Sequence, residues 1–306
     1  FARDHSVSFS LVPGSAWSSK SLAGLIMRVV WARWKLSPAS IHVINEQLLA
    51  ATWPAYLGRR VVLDVFDSVF LRLNKAGNTW WLIKWLLYSR ASWVIVTDNY
   101  RQELLASFVK SRSVVIPNVP IKTKVSTFTK KRSRAVTLAY FGTLAENRGT
   151  AFVRNLLGAN LGLRVFCAGW LTDDSSRRLT EHPAVRYLGV MAQAEANEII
   201  ARDVDFIVSI YPRGDLNNYY ASPNKVYDAI HTRTPLIIGD NVKVSEFVSE
   251  NGLGVVVDEA LMADPSALGA LLSEQREGFE IDPALIDRYC WENVEETLIG
   301  VHQRTQ

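Results

Sequence analysis

The residues best suited to chemistry lie in the segment Ala221-Ser222-Pro223-Asn224-Lys225-Val226-Tyr227-Asp228, which gathers a hydroxyl, an amide, an ammonium and a carboxylate. Ser222 reads as an N-cap and Pro223 as the first helical residue. That register puts Lys225 in the first turn and Asp228 three residues on, along one face. An ammonium beside the positive end of a helix is unfavourable unless an anion receives both. A carboxylate one turn deeper suits the two hydroxyls of a ribose. The competing reading is an exposed ion pair between Lys225 and Asp228, worth only tenths of a kcal/mol.

A second anion-directed segment is Tyr140-Phe141-Gly142-Thr143-Leu144-Ala145-Glu146-Asn147-Arg148-Gly149. The pattern predicts a strand ending at Gly142, a short polar loop with Thr143, and a helix beginning near Arg148. Glycine lets a ligand approach the backbone, and free N–H groups at a helix start favour anions. Arg148 can add a charge-assisted contact to a diphosphate. A plain strand–glycine–helix turn has the same appearance.

The first half of the chain supplies candidates that would face an attacking hydroxyl. In His42-Val43-Ile44-Asn45-Glu46-Gln47, Asn45 and Glu46 follow a strand and are placed to orient hydroxyls, while His42 reads as structural. Asp67 follows Val61–Phe66 and is either a general base or the cap of the next helix. Asp64, inside that strand, reads as a buried structural carboxylate. Asp203-Val204-Asp205 resembles a metal-binding Asp-X-Asp, but it precedes a strand and so stands at the wrong end of a sheet for ligands. No metal site is predicted.

Short β-branched runs alternating with helical patterns must position these groups, which is the signature of α/β folds with parallel sheets. Strands are predicted at 6–12, 41–44, 61–66, 93–97 and 114–116, then at 135–141, 163–168, 185–188, 206–210, 235–238 and 254–257. Residues 1–121 form one Rossmann-like domain, 122–134 a basic linker, and 135–286 a second Rossmann-like domain. Residues 287–306 read as a final helix, with Trp291, Val294 and Leu298 near helical spacing. The opening residues look like a helix end leading into a second strand, so a first strand and its glycine-rich loop are expected to be missing before Phe1.

At 306 residues, 48% hydrophobic and 21% charged, the composition is that of a globular protein of two domains rather than a disordered chain. Cys167 and Cys290 cannot build a disulfide framework and point to a reducing compartment, so a cytoplasmic location is expected. The net charge of +4 conceals an asymmetry. Residues 1–125 carry 16 Lys and Arg against 6 Asp and Glu, and the remainder 18 against 24. Two segments of the basic half, Leu25–Lys35 and Trp80–Tyr88, interleave aromatics with cations. They read either as helices resting on an anionic membrane, here the inner face of the plasma membrane, or as core helices with a basic edge. Nucleic-acid binding is disfavoured, because the cations accompany buried-looking aromatics rather than a recognised module.

Taken in order, several segments resemble bacterial glycosyltransferases of the GT-B fold, most nearly the family 4-like (group 1) enzymes. They are Asp64…Asp67, Arg90–Thr97, Ile116-Pro117-Asn118-Val119, the Gly142 loop, Tyr187-Leu188-Gly189, Ser222-Pro223-Asn224-Lys225 and Thr234-Pro235. The resemblance spans about residues 40–300, and Ser-Pro-Asn-Lys with its following acidic residue is the most specific element. It implies two Rossmann-like domains facing across a cleft, with a nucleotide-sugar donor on the second and a glycan or glycolipid acceptor mainly on the first. Gly142, Thr143 and Arg148 would form the diphosphate loop. Lys225, with Ser222 and Asn224 beside it, would reach the phosphates or the donor sugar, and Asp228 the ribose. The final helix would cross back to the first domain. Where many members carry two glutamates separated by seven residues, this chain has Tyr220 and Asp228. No cofactor beyond the sugar donor is implied. Retaining transfer, in which the leaving diphosphate takes the acceptor proton, is favoured; inverting transfer would use Asp67 or Glu46 as base. A nucleotide-sugar epimerase of the same fold and a non-catalytic nucleotide-sugar-binding protein are the alternatives.

Overall fold

The computed structural model describes residues 19–36, 38–122, 133–159 and 161–303. The strand expected at 6–12 and most of the 122–134 linker lie outside them. Two parallel sheets dominate. The first has four strands in sequential order: β1 (Ser40–Ile44), β2 (Arg60–Val65), β3 (Trp93–Val96) and β4 (Ser113–Val115). The second has six: β5 (Thr137–Leu144), β6 (Arg164–Leu171), β7 (Val185–Tyr187), β8 (Phe206–Ser209), β9 (Leu236–Gly239) and β10 (Gly254–Val257). Their spatial order is β10-β9-β8-β5-β6-β7, every described pair being parallel.

Parallel strands lie between layers of helices, so they read as continuous apolar runs rather than alternating ones. Val61, Val62, Leu63 and Val65 are accordingly all buried, as are Leu236, Ile237 and Ile238. The second sheet has a core on each face, one around Leu138, Tyr140, Phe206 and Ile237, the other around Ala139, Ile207, Ile230 and Ile238. The last helix, Trp291–Gln303, sets Val294, Leu298 and Val301 against Val62, Ile95 and Ile116 of the first sheet. Its end is tied by Ser40 and His42 to His302, at 2.7 and 3.1 Å, and by Arg60 to the His302 carbonyl.

The strand order of the second sheet fixes where a ligand can sit. β5 lies between β6 and β8, so the connections leave it in opposite directions and open a crevice at its carboxyl end. Gly142 stands at that end of β5, and Tyr211 two residues beyond β8.

Candidate functional site

Two adjoining cavities open there. The larger, about 520 Å³, is bounded by Gly142, Thr143, Arg148, Gly169, Tyr211, Ser222, Asn224, Lys225 and Asp228, among others. The smaller, about 210 Å³, lies between the two halves of the chain, with Asp67, Arg101 and Asn118 on one wall and Asn217 and Asn218 on the other. Arg148, Tyr211, Ser222 and Asn224 border both.

β5 does not end at Gly142 as the sequence pattern suggests. It runs on to Leu144, because Gly142, Thr143 and Leu144 keep pairing with Gly169, Trp170 and Leu171 of β6. The two glycines permit this extension. Both have positive φ, 112° and 125°, and a Cβ on Gly169 would fall 1.8 Å from the Gly142 carbonyl oxygen. Gly169 escaped the sequence reading, although a glycine inside a continuing strand pattern marks close backbone approach. The expected helix start at Arg148 is also displaced. Glu146–Arg148 is a single 3₁₀ turn, and the α-helix begins at Thr150 after Gly149. Arg148 therefore projects from a turn, its guanidinium 5.5 Å from the ring centre of Tyr211.

The helix carrying Lys225 spans Asn224–Thr232. Pro223 holds the cap position with no side-chain capping bond, so Ser222 is not the N-cap. Ser222 stands one residue further out and lines both cavities. Lys225 Nζ lies 3.8 Å from where a Gly142 Cβ would stand, which brings the two phosphate-directed segments together. Burial pushes the Lys225 ammonium down to about 8; Arg148 adds to the fall and Asp228 opposes it. Two cations facing one cavity are poorly satisfied until an anion arrives.

Lys225 and Asp228 form no ion pair. The Asp228 carboxylate instead accepts from Gln193 Nε2 at 2.8 Å and Asn197 Nδ2 at 3.0 Å, both on the helix Gln193–Asp203. Burial raises its pKa, against the two amides and Lys225. Gln193 and Asn197 were not anticipated; the available signal was Asn197, a polar residue four positions from Gln193 on the buried face of an amphipathic helix. Tyr220 turns its ring edge-on to Tyr219 and is not among the residues lining either cavity.

The first-half candidates separate. Glu46 is 0% exposed and accepts from Ser68 Oγ, Val69 N and Tyr88 Oη, so it is a structural carboxylate and cannot meet an acceptor hydroxyl. Asn45 is likewise committed: its side-chain oxygen receives the amides of Phe66 and Asp67. Asp67 itself lines the smaller cavity, paired with Arg72 at 3.2 Å and accepting from Asn217 at 3.0 Å. Ser68, not Asp67, caps the helix Val69–Arg72. Asp64 is buried against His42 at 3.1 Å. Asp205, buried at the start of β8, binds Thr137 N and Arg276, a structural role at the far end of the sheet. Among the described residues no cluster of His, Cys, Asp or Glu has the geometry to hold a metal.

No family model matches this sequence, and no curated protein matches it. Solved structures do. HepE from Anabaena, solved with UDP-glucose, has a TM-score of 0.66 at 15% identity, over 90% of this chain and 82% of that one. A glycosyltransferase from Rickettsia africae gives 0.67 at 10% identity, over 99% and 86%. Sucrose-phosphate synthase from Thermosynechococcus elongatus gives 0.65 at 14% identity, over 93% and 78%. The chain is thus built on the GT-B fold of glycosyltransferases, two Rossmann-like domains with a cleft between them.

Proposed function

We propose that this protein is a glycosyltransferase that moves a sugar from a nucleoside-diphosphate sugar to a hydroxyl of a lipid-linked or growing bacterial glycan. The observation that carries the reading is the convergence of Lys225, Arg148 and the Gly142–Gly169 pair on one cavity at the switch point of the second sheet. A cavity of that kind, with two cations and a close backbone approach, suits a diphosphate. HepE, of the same fold, was solved with UDP-glucose, which adds support for a nucleotide-sugar ligand.

The sugar would project from the diphosphate toward the smaller cavity, where Asp67, Asn118 and Asn217 offer polar groups to an acceptor. The acceptor oxygen bonds to the anomeric carbon as its bond to the diphosphate breaks, and Arg148 and Lys225 stabilise the charge on the leaving group. Retention is the favoured outcome. Asp67, the acidic side chain that borders the smaller cavity, is engaged by Arg72 and Asn217, which leaves the departing diphosphate as the best-placed acceptor of the proton. The reaction calls for no cofactor and no metal.

A membrane-borne acceptor is supported by the surface of the first half. On the helix Ser19–Leu36, Trp34 is 81% and Met27 71% exposed. On Trp81–Tyr88, Trp81, Leu82, Ile83, Trp85 and Leu86 are all exposed. Lys84 differs from the expected basic edge: it is 2% exposed and donates to the Lys75 and Gly77 carbonyls, so that helix turns an apolar face outward. Cations still border the aromatics, Lys35 over Trp31 at 4.9 Å and Arg90 over Trp53 at 4.3 Å. No helix among the described residues is long and apolar enough to cross a membrane, so the contact we propose is peripheral, on the cytoplasmic face.

The test is incubation with UDP-, GDP- and ADP-linked sugars, with and without a bacterial lipid extract. Lipid-dependent release of nucleoside diphosphate supports transfer. Conversion of the sugar without acceptor would indicate an epimerase instead, and binding without turnover a non-catalytic protein.

A further inference from the structure

Arg148, Tyr211, Ser222 and Asn224 border both cavities, and they differ in what they have left to offer. Arg148 is a permanent cation. Asn224 Oδ1 accepts from Asn118 Nδ2 at 3.0 Å, and Ser222 is hydrogen-bonded to the Tyr227 phenol. Tyr211 is the exception. Its Oη has no hydrogen-bond partner among the described residues, nor is that oxygen sealed from solvent. A buried phenol ordinarily finds a partner. Tyr56 has Thr52, Tyr88 has Glu46, and Tyr140 has Thr150 and the Ala145 carbonyl. Tyr211 is nonetheless held in place. Asn241 Nδ2 donates to its backbone carbonyl at 3.0 Å, and the Arg148 guanidinium stands over its ring. Burial raises the pKa of the phenol; Asp67 adds to the rise, and Arg148 and Arg101 oppose it. At neutral pH it is an uncharged hydroxyl.

We propose that Tyr211 Oη is a catalytic hydroxyl of the transfer, passing the proton of the attacking acceptor hydroxyl to the departing diphosphate. This rests on the glycosyltransferase reading of the two cavities and deepens it. A hydroxyl carries a donor and an acceptor on one atom, which a guanidinium does not. As the acceptor oxygen bonds to the anomeric carbon, its proton moves to Tyr211 Oη. The phenolic proton moves in the same step to the diphosphate oxygen, which leaves the anomeric carbon with the electron pair of the broken bond. The phenol is neutral before and after, so its high pKa is no obstacle. Asp67 and Asn217 stand on the acceptor side of Tyr211, and Lys225 on the diphosphate side. The ring has a separate task, since it supports the Arg148 guanidinium.

Tyr211→Phe keeps the ring and removes only the hydroxyl, and no described protein hydrogen bond is lost with it. Calorimetric titration of UDP, GDP and ADP finds the nucleotide that binds. Turnover is then followed as release of that diphosphate from its sugar-linked forms in the presence of a bacterial lipid extract. In Tyr211→Phe, turnover at saturating donor should fall about a hundredfold or more, the lower end of what a positioned proton-transfer group contributes. Affinity for the diphosphate should stay within about twofold of the parent, since the ring still backs Arg148. Tyr211→Leu, which also loses the ring, should bind the diphosphate several-fold more weakly as well. A smaller fall in turnover in Tyr211→Phe would overturn the relay. A matching loss of diphosphate affinity in that variant would overturn it too, and would mark Tyr211 as structural. If the parent protein binds none of the three diphosphates, or binds without turnover, the transfer reading fails and the relay falls with it. Failure of the relay alone leaves the parent's turnover intact and shows only in the phenylalanine variant.

Discussion

The Arg101 guanidinium crosses from the first half of the molecule to the second and donates through Nε to the Tyr220 carbonyl at 2.7 Å. It also reaches the carbonyls of Asn217 at 3.2 Å and, within its own domain, Phe66. Arg101 is 5% exposed, and burial lowers its pKa while Asp98, Asp67 and Glu46 oppose the fall. The chain segment it grasps leads directly into Ser222-Pro223-Asn224-Lys225. Arg101 thereby ties the first half of the chain to the segment that leads into the phosphate-directed helix.

Replacing Arg101 should loosen that tie. Arg101→Ala leaves three carbonyls without their charged partner, a loss of about 1.5–3 kcal/mol for each bond of this kind at most. Transfer turnover should fall at least tenfold, while affinity for the free nucleoside diphosphate, bound by the second domain, changes less than threefold (roughly the scale of weak coupling between sites). Parallel loss of both in calorimetry and turnover assays would remove the coupling role.

Lys225 predicts a pH dependence. Burial holds its pKa at about 8, so the ammonium is present below that pH and is lost above it. A bound diphosphate favours the charged form and raises the pKa, so binding takes up a proton once the pH passes 8. Affinity should be level from about pH 6.5 to 7.5 and then fall, by at most about tenfold per pH unit. Lys225→Arg should abolish the slope, because guanidinium stays charged throughout. A slope that persists in the arginine variant would place the titrating group elsewhere.

Glu46 should behave as a stability residue. Glu46→Ala strips the acceptor from Ser68, Tyr88 and the Val69 amide, and leaves Lys84, already lowered to about 8 by burial, without its neighbouring carboxylate. Breaking one side of a buried charged network costs about 3–5 kcal/mol. Urea unfolding should report a loss of that size. Glu46→Gln, which keeps one acceptor oxygen, should lose less and retain turnover per folded molecule. Inactive but fully stable protein would restore the catalytic role.

The exposed aromatic face should carry membrane attachment. Flotation with phosphatidylglycerol-containing vesicles is expected to recover the protein at low salt and to release it as ionic strength rises and the Debye length shrinks. Replacing Trp34 and Trp85 with serine should weaken recovery several-fold without lowering the melting temperature, since both side chains are exposed. Equal recovery on neutral and anionic vesicles would contradict the electrostatic part of this reading.

Much of this architecture was legible in the order of residues. Strand cores such as Val61–Leu63 and Leu236–Ile238 declare themselves because both faces of a parallel sheet are buried, which favours continuous apolar runs. Lys225 and Arg148 could be singled out because helix starts and glycine turns obey local rules that a few neighbouring residues satisfy. Even there, one-residue details moved: β5 ran past Gly142, and Pro223 took the cap position assigned to Ser222. Local rules set preferences of about a kcal/mol, and the Gly142–Gly169 strand contact overrode the first of them.

Partner choice between distant residues belonged to the tertiary structure alone. Glu46 and Asp67 look alike in sequence, each acidic and just beyond a strand. Only packing shows that Glu46 is enclosed by Ser68 and Tyr88, while Asp67 borders the cavity between the halves. Asp228 has Lys225 as its nearest charged neighbour along the helix, yet it bonds to Gln193 and Asn197, 35 and 31 residues away in sequence. The reason is physical: a buried carboxylate is satisfied by whichever donors the fold brings within 3 Å, and sequence separation does not enter that energy.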